Sequence, residues 1–377
     1  MNESKKTVLL SAGGTGGHLF PAESLAFDLI GRGYKVILVT DKRGAKFDSF
    51  ADGIPTHVIQ SGGLTAGLVN KLKSTLLMGI GYIQSLKILR QTKPNVVVGF
   101  GGYPSFPAVY AASKKNIPTI IHEQNAILGK ANAYLSSKVD RIATAWPNVE
   151  GIAEADSVRC VVTGNPVRPE VAGLYTKPYP ALDQDGILKI FIMGGSLGAR
   201  VFSEILPKTF DSLSDAYKDR LEIVQQCREE DVERVQSLYK DIGIKANLAT
   251  FFDNVADELE KCHLFIGRSG ASTVSEVTTA GRPAIFVPYP HHADQQQKRN
   301  ADVVSDSGGA WVMTEDGFTP TALQARIETF LQNPETLFNA AENARSCGKP
   351  DAARRLGNLV TALASGWNKG TDSSLLS

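Results

Sequence analysis

Apolar residues along the chain gather into short runs that alternate with helix-like segments. In the first half the runs are TVLLSA, KVILVT, NVVVGF, PTIIHE and RIATAW; in the second they are LKIFIMGG, LEIVQQC, HLFIGRSG and PAIFVPYP. The runs are rich in β-branched residues, which is typical of buried parallel strands. Segments such as 21–31 and 105–116 have the character of helices. The alternation predicts an α/β fold of open parallel sheets with helices on both faces.

The pattern occurs twice. The sequence around Gly13–Gly17 predicts a strand, a glycine turn and a helix, and the same succession is predicted around Gly194–Gly198. The chain of 377 residues is also longer than a single hydrophobic core normally accommodates. The proline-rich segment NPVRPEVAGLYTKPYPALDQDG reads as a linker. We therefore expect two Rossmann-like domains facing across a deep cleft, over residues 1–167 and 168–351. An amphipathic helix within 352–377 should pack back on the first domain.

Composition narrows the class of protein. Hydrophobic residues make up 42% and charged residues 21% of the chain, as in ordinary globular proteins. Four scattered cysteines without a C-x-x-C pair favour a reducing compartment. The first apolar run is too short for a signal peptide, so we expect a cytoplasmic location. The histidines are mostly apart and the single D-x-D motif precedes a strand, so we expect neither a metal site nor a cofactor.

Charge is unevenly distributed. No Asp or Glu occurs from Gly53 to His122, although the net charge of the whole chain is only +1. Within this region, LVNKLKSTLLMGIGY places apolar residues among lysines: Leu72, Leu76, Leu77, Met78 and Ile80. An apolar patch with a basic fringe suits an anionic membrane surface. The alternatives are a solvated surface for the charges and an ordinary core for the apolar residues.

The stretch GGTGGH follows the first predicted strand. A glycine turn between a strand and a helix brings backbone N–H groups close to a ligand and favours phosphate. A neutral imidazole is favoured beside a helix N-terminus, so His18 is a candidate base or hydrogen-bond partner. A tight connection, with His18 only capping local backbone, is the alternative.

A second glycine turn, RSGASTVSE, precedes a helix in the other half. Its helix-terminal amides suit a diphosphate, and Glu276 can accept the hydroxyl groups of a ribose, which together indicate a nucleoside diphosphate. Glu276 could instead be a solvated helix charge. The polar segments HEQN and PHHADQQQ each follow a strand, where uncharged donors and acceptors suit a sugar ring.

Seven motifs occur in the order and spacing of a known family: GGTGGHLFPA, GGYPS, HEQN, GNPVR, GGSLGA, RSGASTVSE and DQQQKRNA. The chain resembles the bacterial peptidoglycan N-acetylglucosaminyltransferases, which are GT-B enzymes of glycosyltransferase family 28. The resemblance implies inverting transfer of GlcNAc from UDP-GlcNAc to the C4 hydroxyl of MurNAc in undecaprenyl-pyrophosphoryl-MurNAc-pentapeptide, converting lipid I to lipid II. It also implies peripheral association with the cytoplasmic face of the plasma membrane.

The same resemblance implies roles for individual residues. Thr15, Gly16 and Gly17 should approach the donor sugar and the acceptor pyrophosphate. Asn125 and Gln296 should bind GlcNAc, although Gln295 or Gln297 could take the place of Gln296. The nucleotide should be held by the remaining residues: Arg168 and Ser196 at the diphosphate, Phe252 at uracil through its backbone, and Ala271, Ser272, Thr273, Val274, Ser275 and Glu276 around the nucleotide, with Glu276 on the ribose.

Two questions stay open at this level. The general base is His18 or Glu123, with Glu123 otherwise orienting His18. The function could also be that of a UDP-GlcNAc 2-epimerase, another GT-B UDP-sugar transferase, a nicotinamide oxidoreductase or a non-catalytic UDP-sugar-binding subunit. The missing G-x-G-x-x-G motif argues against the oxidoreductase. We expect no nucleic-acid partner.

Overall fold

The structure is a computed structural model that describes residues 5–46, 53–63, 68–195, 198–291 and 294–366. The chain divides into two compact units. Unit 1 comprises residues 1–168 and 351–377, and unit 2 comprises residues 169–350. Arg168 and Asp351 thus belong to unit 1, each one residue beyond the boundaries expected from the sequence. The proline-rich segment that reads as a linker lies mostly in unit 2, where the Tyr179 ring is buried.

Unit 1 is built on a seven-stranded parallel sheet. Its strands are β1 (Thr7–Ser11), β2 (Lys35–Thr40), β3 (Thr56–Val58), β4 (Val96–Gly99), β5 (Thr119–Glu123), β6 (Arg141–Thr144) and β7 (Cys160–Val162). The spatial order is β3-β2-β1-β4-β5-β6-β7. The connecting helices are α1 (Gly16–Gly31), α2 (Leu68–Thr92), α3 (Ser105–Lys114), α4 (Lys130–Leu135) and α5 (Glu154–Ser157).

Unit 2 repeats the plan with six parallel strands. They are β8 (Leu188–Met193), β9 (Leu221–Gln226), β10 (Lys245–Ala249), β11 (Leu264–Gly267), β12 (Ala284–Phe286) and β13 (Ala310–Val312), in the order β10-β9-β8-β11-β12-β13. Its helices are α6 (Pro169–Ala172), α7 (Arg200–Asp211), α8 (Asp215–Lys218), α9 (Val232–Asp241), α10 (Val255–Lys261), α11 (Ala271–Thr279), α12 (Gln296–Asp306), α13 (Pro320–Gln332) and α14 (Glu335–Cys347). The predicted α/β class with two Rossmann-like parallel sheets is confirmed.

Alternation along the strands explains why both sheet faces are covered. Val8 and Leu10 of β1 lie in a core cluster with α1 and with the last described helix, α15 (Ala352–Ala364). Leu9 points to the opposite face and packs with residues of α2 and α3. Because successive side chains of a strand point to opposite faces, a strand buried on both sides must be apolar throughout.

The helix α15 packs on α1 within unit 1. Its apolar face joins the core cluster of β1 and α1 through four buried side chains: Leu356, Leu359, Val360 and Leu363. At the edge of this contact, the guanidinium of Arg32 donates to the side-chain oxygen of Asn358 at 2.8 Å. Residues 367–377, the end of the predicted tail helix, lie outside the described residues.

One predicted helix starts earlier than its sequence indicates. The sequence predicts a helix from Pro21, whereas α1 begins at Gly16 and includes the proline. Glycines are poor helix formers, so their helical conformation here is set by the surrounding structure. No helix in the described part of the chain is both long and apolar enough to span a bilayer.

Candidate functional site

The motifs of unit 1 meet where its strand order reverses. β1 pairs with β2 on one side and with β4 on the other, and β4 pairs with β5. GGTGGH follows β1, GGYPS follows β4, and HEQN spans the end of β5. The turns touch directly, since Gly13 N donates to the carbonyl of Gly101 at 3.1 Å. Ligands of open α/β sheets bind at this kind of switch point.

The His18 imidazole lies against a shelf of bare backbone. A methyl group added to Gly13, Gly101 or Gly102 would lie 3.2–3.3 Å from atoms of the ring. Gly101 and Gly102 also have φ angles of +82° and +73°, which other residues rarely adopt. The glycines therefore let the imidazole approach the backbone closely. This contact fixes one face of the His18 ring.

His18 is kept neutral by its surroundings. It lies in the first turn of α1, and its Nδ1 is buried without a hydrogen-bond partner in the described part of the chain. Burial lowers the pKa of His18 below its ordinary value. A neutral imidazole at physiological pH can accept a proton, which is the requirement for a general base.

Glu123 is engaged within its own loop. Its Oε1 accepts from the backbone N and the side-chain amide of Asn125, both at 3.0 Å. Its Oε2 accepts from the backbone N of Gly129 at 2.9 Å and from the Asn132 amide at 2.8 Å. Burial raises the pKa of Glu123 while these bonds oppose the rise. The carboxylate thus ties HEQN to the start of α4, and the Asn125 amide is turned toward it.

His122 is buried beside this loop in a defined tautomer. Its Nε2–H donates to the carbonyl of Gly164 at 2.9 Å, and its Nδ1 accepts from the Gln124 amide at 3.1 Å. The same amide donates to the carbonyl of Phe100 at 2.9 Å, so Gln124 links the ends of β4 and β5. Burial lowers the pKa of His122 to about 4. Protonation of His122 at Nδ1 would place an N–H of the imidazolium against the N–H of the Gln124 amide, so the hydrogen bond between them would be lost.

The pKa of His122 predicts a loss of stability in mild acid. The unfolded chain takes up a proton near the ordinary value of 6.5, whereas the folded chain resists it down to about 4. Stability therefore falls as pH decreases through 6.5, and this group alone should remove about 2 kcal/mol between pH 7.5 and pH 5. Urea unfolding at the two pH values measures the difference.

The matched variant is His122→Gln, which keeps a donor for Gly164. We expect it to be less stable at pH 7.5 but to lose about 2 kcal/mol less than the parent on acidification. His263, in unit 2, contributes equally to both proteins and cancels in the comparison, whereas the charge of His18 is coupled to that of His122. An identical pH dependence of parent and variant would contradict a neutral buried His122.

Unit 2 has its own switch point between β8 and β11. These strands pair with Met193 opposite Gly267, so the glycine turns that follow them are neighbours. Gly270 is the N-cap of α11 and has no side chain to occupy the helix start. Ser196 in the turn after β8 lies outside the described residues. The two turns place bare backbone and a helix N-terminus at one edge of the sheet.

The RSGASTVSE segment divides into an open start and a buried end. Ala271, Ser272 and Thr273 are partly exposed, whereas Val274, Ser275 and Glu276 are buried. Glu276 is 8% exposed, so it is not the solvated helix charge that the sequence left open. A buried carboxylate at this edge suits recognition of hydroxyl groups.

The glutamines of DQQQ differ in their surroundings. The Gln297 side-chain oxygen accepts from the backbone N of Tyr289 at 2.9 Å, so Gln297 serves the loop itself. The Gln296 amide donates to Asp294 at 3.0 Å. Gln295 is exposed and caps α12 with a left-handed φ of +52°, an uncommon conformation for a residue other than glycine.

Phe252 and Arg168, the two remaining predicted residues, each pack against an aromatic ring. The Phe252 ring is 7% exposed and packs edge-to-face on Phe191 of β8, with ring centroids 5.5 Å apart. The Arg168 guanidinium lies 5.3 Å from the Phe20 ring centroid on α1. Arg168 is thus placed beside the first turns of α1 in unit 1.

Two buried asparagines that support these loops were missed by sequence reasoning. Asn132 on α4 donates to the carbonyl of His122 as well as to Glu123. Asn300 on α12 is fully buried and donates to the Ser269 carbonyl at 3.2 Å, which joins DQQQKRNA to the RSG turn. A polar asparagine on the inner face of a helix could have indicated a buried hydrogen bond in each case. The sequence does not identify the partner, because the partner belongs to another loop.

Known proteins share the two-domain organisation of this chain. The Glycosyltransferase family 28 N-terminal domain model matches residues 8–144, and the Glycosyltransferase family 28 C-terminal domain model matches residues 189–356. The crystal structure of MurG from Acinetobacter baumannii is similar with a TM-score of 0.75 and 32% identity, covering 95% of this chain and 99% of that one.

Two curated relatives carry the name UDP-N-acetylglucosamine--N-acetylmuramyl-(pentapeptide) pyrophosphoryl-undecaprenol N-acetylglucosamine transferase. The protein from Rhodospirillum centenum is 48% identical over 96% of this chain and 95% of its own length. That from Paramagnetospirillum magneticum is 44% identical over 96% of this chain and 98% of its own. Identity over nearly the full length, with both domain models matched, shows that this chain belongs to glycosyltransferase family 28.

Proposed function

We propose that this enzyme transfers GlcNAc from UDP-GlcNAc to the C4 hydroxyl of MurNAc in undecaprenyl-pyrophosphoryl-MurNAc-pentapeptide, with inversion at the anomeric carbon. The reaction makes a peptidoglycan precursor, lipid II, from lipid I. The names of the full-length relatives support the substrates. The single structural observation that carries the proposal is the neutral imidazole of His18, held on a glycine shelf at the switch point of unit 1.

Unit 2 binds most of the donor in this proposal, and unit 1 contributes Arg168 and Asn125. The N-terminus of α11 after Gly270 holds the diphosphate, and Glu276 accepts the ribose hydroxyl groups. Ser196 and Arg168 contact the diphosphate, and the backbone of Phe252 contacts uracil. Asn125 and Gln296 bind the GlcNAc ring. The engagement of Gln297 with Tyr289 supports Gln296 or Gln295 over Gln297 for this role.

Unit 1 binds the acceptor and supplies the base. Gly17 has nothing within 4 Å on the side where a Cβ would project, which supports close approach of a ligand there. His18 takes the proton of the C4 hydroxyl as its oxygen bonds to the anomeric carbon. The bond from that carbon to UDP breaks on the opposite face, and the negative charge passes to the diphosphate. Backbone N–H groups stabilise this charge.

The engagement of Glu123 supports His18 over Glu123 as this base. A buried carboxylate that accepts four N–H bonds would have to give up existing partners to take a proton from a substrate. The His18 residue remains partly exposed, and desolvation of its ring lowers the pKa, so the imidazole is neutral. Glu123 then positions Asn125 and the loop that follows β5.

The test is an assay of the purified protein with radiolabelled UDP-GlcNAc and a lipid I analogue. Label in the lipid product together with release of UDP is the expected result. Release of UDP-ManNAc without any acceptor would instead establish a 2-epimerase. Binding of UDP-GlcNAc without transfer or epimerisation would establish a non-catalytic subunit.

The exposed face of α2 supports a membrane-facing role for unit 1. Leu72, Leu76 and Ile83 are 75%, 65% and 67% exposed, and with Ile80 they follow helical spacing along one stripe. Leu77 and Met78, the other members of the predicted patch, are partly buried. Exposed basic residues border the stripe: Lys71, Lys73, Lys87 and Arg90. We infer that this surface contacts the anionic cytoplasmic leaflet in which the acceptor resides.

The stripe predicts which substitutions weaken membrane binding. Leu72→Gln combined with Leu76→Gln should reduce partitioning onto vesicles containing phosphatidylglycerol by about tenfold or more, because burial of each leucine contributes about 1.5–3 kcal/mol when complete. Co-sedimentation with vesicles measures this partitioning. Val158→Gln, at an 86% exposed position of unit 1 outside α2, is the matched control. Equal loss in the control would contradict a specific role for the stripe.

A further inference from the structure

A second concave site lies in unit 1 beside the His18 shelf. The cavity has a volume of about 480 Å³, within the range of about 300–1,000 Å³ that is typical of small-molecule sites. It opens at the carboxyl ends of β2 and β3, and the described residues that line it are Asp41, Lys42, Arg43, Ile59, Gln60, Ser61, Gly63 and Tyr103. None of these residues has a role in the donor site or in proton transfer as described above.

The cavity and the His18 shelf share their walls. Tyr103, which lines the cavity, directly follows Gly102, against which the imidazole rests. On the other side, a methyl group at Gly14 would overlap Asp41 Oδ1 and lie 2.7 Å from Arg43 Cβ. The turns after β1 and β4 therefore border both spaces. The shelf and the cavity are therefore neighbours at one edge of the sheet.

The charges of the lining favour an anionic group. The Asp41 carboxylate is satisfied by the backbone N of Arg43 and Gly44, at 3.1 Å and 2.9 Å, and by the Arg43 guanidinium at 3.1 Å. The Arg43 side chain remains 67% exposed. Lys42 has no hydrogen bond or ion pair with any described residue. One carboxylate against two cations leaves a positive site, in a region where the sequence has no acid between Gly53 and His122.

The chemistry of the acceptor requires space for a peptide close to the reacting hydroxyl. In MurNAc the peptide is attached through a lactyl ether on the carbon next to the C4 hydroxyl, so it leaves the sugar one carbon away from the reacting oxygen. With that hydroxyl at His18, the peptide must enter a space that adjoins the shelf. A pentapeptide also ends in a carboxylate, which matches the charge of the cavity.

We propose that this cavity binds the peptide branch of the acceptor, with Lys42 and Arg43 pairing with its carboxylate groups and the Tyr103 ring lining the path from the sugar. The assignment rests on the proposed function, since it takes the acceptor from that reaction. It makes unit 1 selective for a sugar that carries an acidic peptide. The acceptor pyrophosphate is the other negatively charged group that could bind these cations. It is attached to the sugar ring on the side opposite the C4 hydroxyl.

The test compares two lipid I analogues, one with free peptide carboxyl groups and one with those groups amidated. Lys42→Gln combined with Arg43→Gln should raise the KM for the free-carboxyl analogue about tenfold, and that for the amidated analogue less than about twofold. The kcat and the KM for UDP-GlcNAc should not change. Lys42→Gln alone breaks no hydrogen bond or ion pair with a described residue and should give a smaller shift in the same direction.

Lys35→Gln is the matched control, because Lys35 is an exposed cation at the opposite end of β2. An equal rise in KM for both analogues would assign the cations to the pyrophosphate and overturn the proposal. Titration of lipid-free MurNAc-pentapeptide separates the two hypotheses. Charge-dependent binding of this probe without any transfer would sink the proposed reaction and keep the cavity as a peptide site; transfer without dependence on carboxyl groups would do the reverse.

Discussion

Replacement of His18 by asparagine should lower kcat about 10²–10⁴-fold, the contribution that a positioned general base typically makes. Asparagine is smaller than histidine, so it fits against the shelf of Gly13, Gly101 and Gly102, but it cannot take a proton. Binding of UDP should change less than twofold, since no residue of unit 2 is altered. Steady-state kinetics at saturating concentrations of both substrates, with calorimetric titration of UDP, measures the two quantities.

The pH profile distinguishes a base from a residue that only supports the site. Because burial lowers the pKa of His18 below its ordinary value, kcat/KM should stay level at neutral pH and fall tenfold per pH unit only in the acid range below the lowered pKa. His18→Asn should lose this acidic limb. Near-normal turnover with an unchanged pH profile in the variant would exclude His18 as the base.

Glu123→Gln is the control for the alternative base. A glutamine would set its NH₂ group against N–H donors that now serve the carboxylate, such as that of Gly129. We expect a lower melting temperature and reduced activity, because each buried donor left without a partner costs about 1–3 kcal/mol. The acidic limb set by His18 should remain in this variant. Its disappearance would transfer the role of base to Glu123.

The interior strands could be predicted from the sequence, and the edge strands could not. The nine apolar runs correspond to strands that are mostly buried, with neighbours or helices on all sides. The missed strands are those at the four sheet edges: β3, β7, β10 and β13. β3 and β10 alternate between exposed and partly buried positions, so neither contains an apolar run. Their conformation is set by pairing with the strand beside them.

The meeting of the motifs in unit 1 could also be predicted, because parallel strands bring the segments that follow them to one edge of a sheet. The state of each side chain could not. The burial of His122 depends on Gly164, which lies 42 residues away, and the shelf of His18 depends on glycines after a different strand. Such contacts arise from strand pairing across long sequence separations. They decide that His18 rests on bare backbone while four N–H bonds engage Glu123.

Replacement of Glu276 by glutamine should raise the Kd for UDP about 10²–10³-fold. In the proposed donor site the carboxylate accepts both ribose hydroxyl groups, and hydrogen bonds to charged groups contribute about 1.5–3 kcal/mol each. Glutamine keeps the shape of this 8% exposed side chain but offers one acceptor oxygen and turns an NH₂ group toward the second hydroxyl. Calorimetric titration of UDP measures the change.

A second test of Glu276 changes the ligand in place of the protein. 2′-Deoxy-UDP and 3′-deoxy-UDP should each bind more weakly than UDP to the parent enzyme, whereas Glu276→Gln should discriminate much less between the three ligands. Glu204→Gln removes an exposed carboxylate from α7 of unit 2 and controls for the change in net charge. If the variant still distinguished UDP from its deoxy forms as strongly as the parent does, the ribose would be recognised elsewhere. If Glu276→Gln loses the discrimination between UDP and its deoxy forms and Glu204→Gln keeps it, the ribose binds at Glu276. The nucleotide then lies beside Gly270, because Gly270 is the N-cap of α11 and Glu276 lies on the same helix.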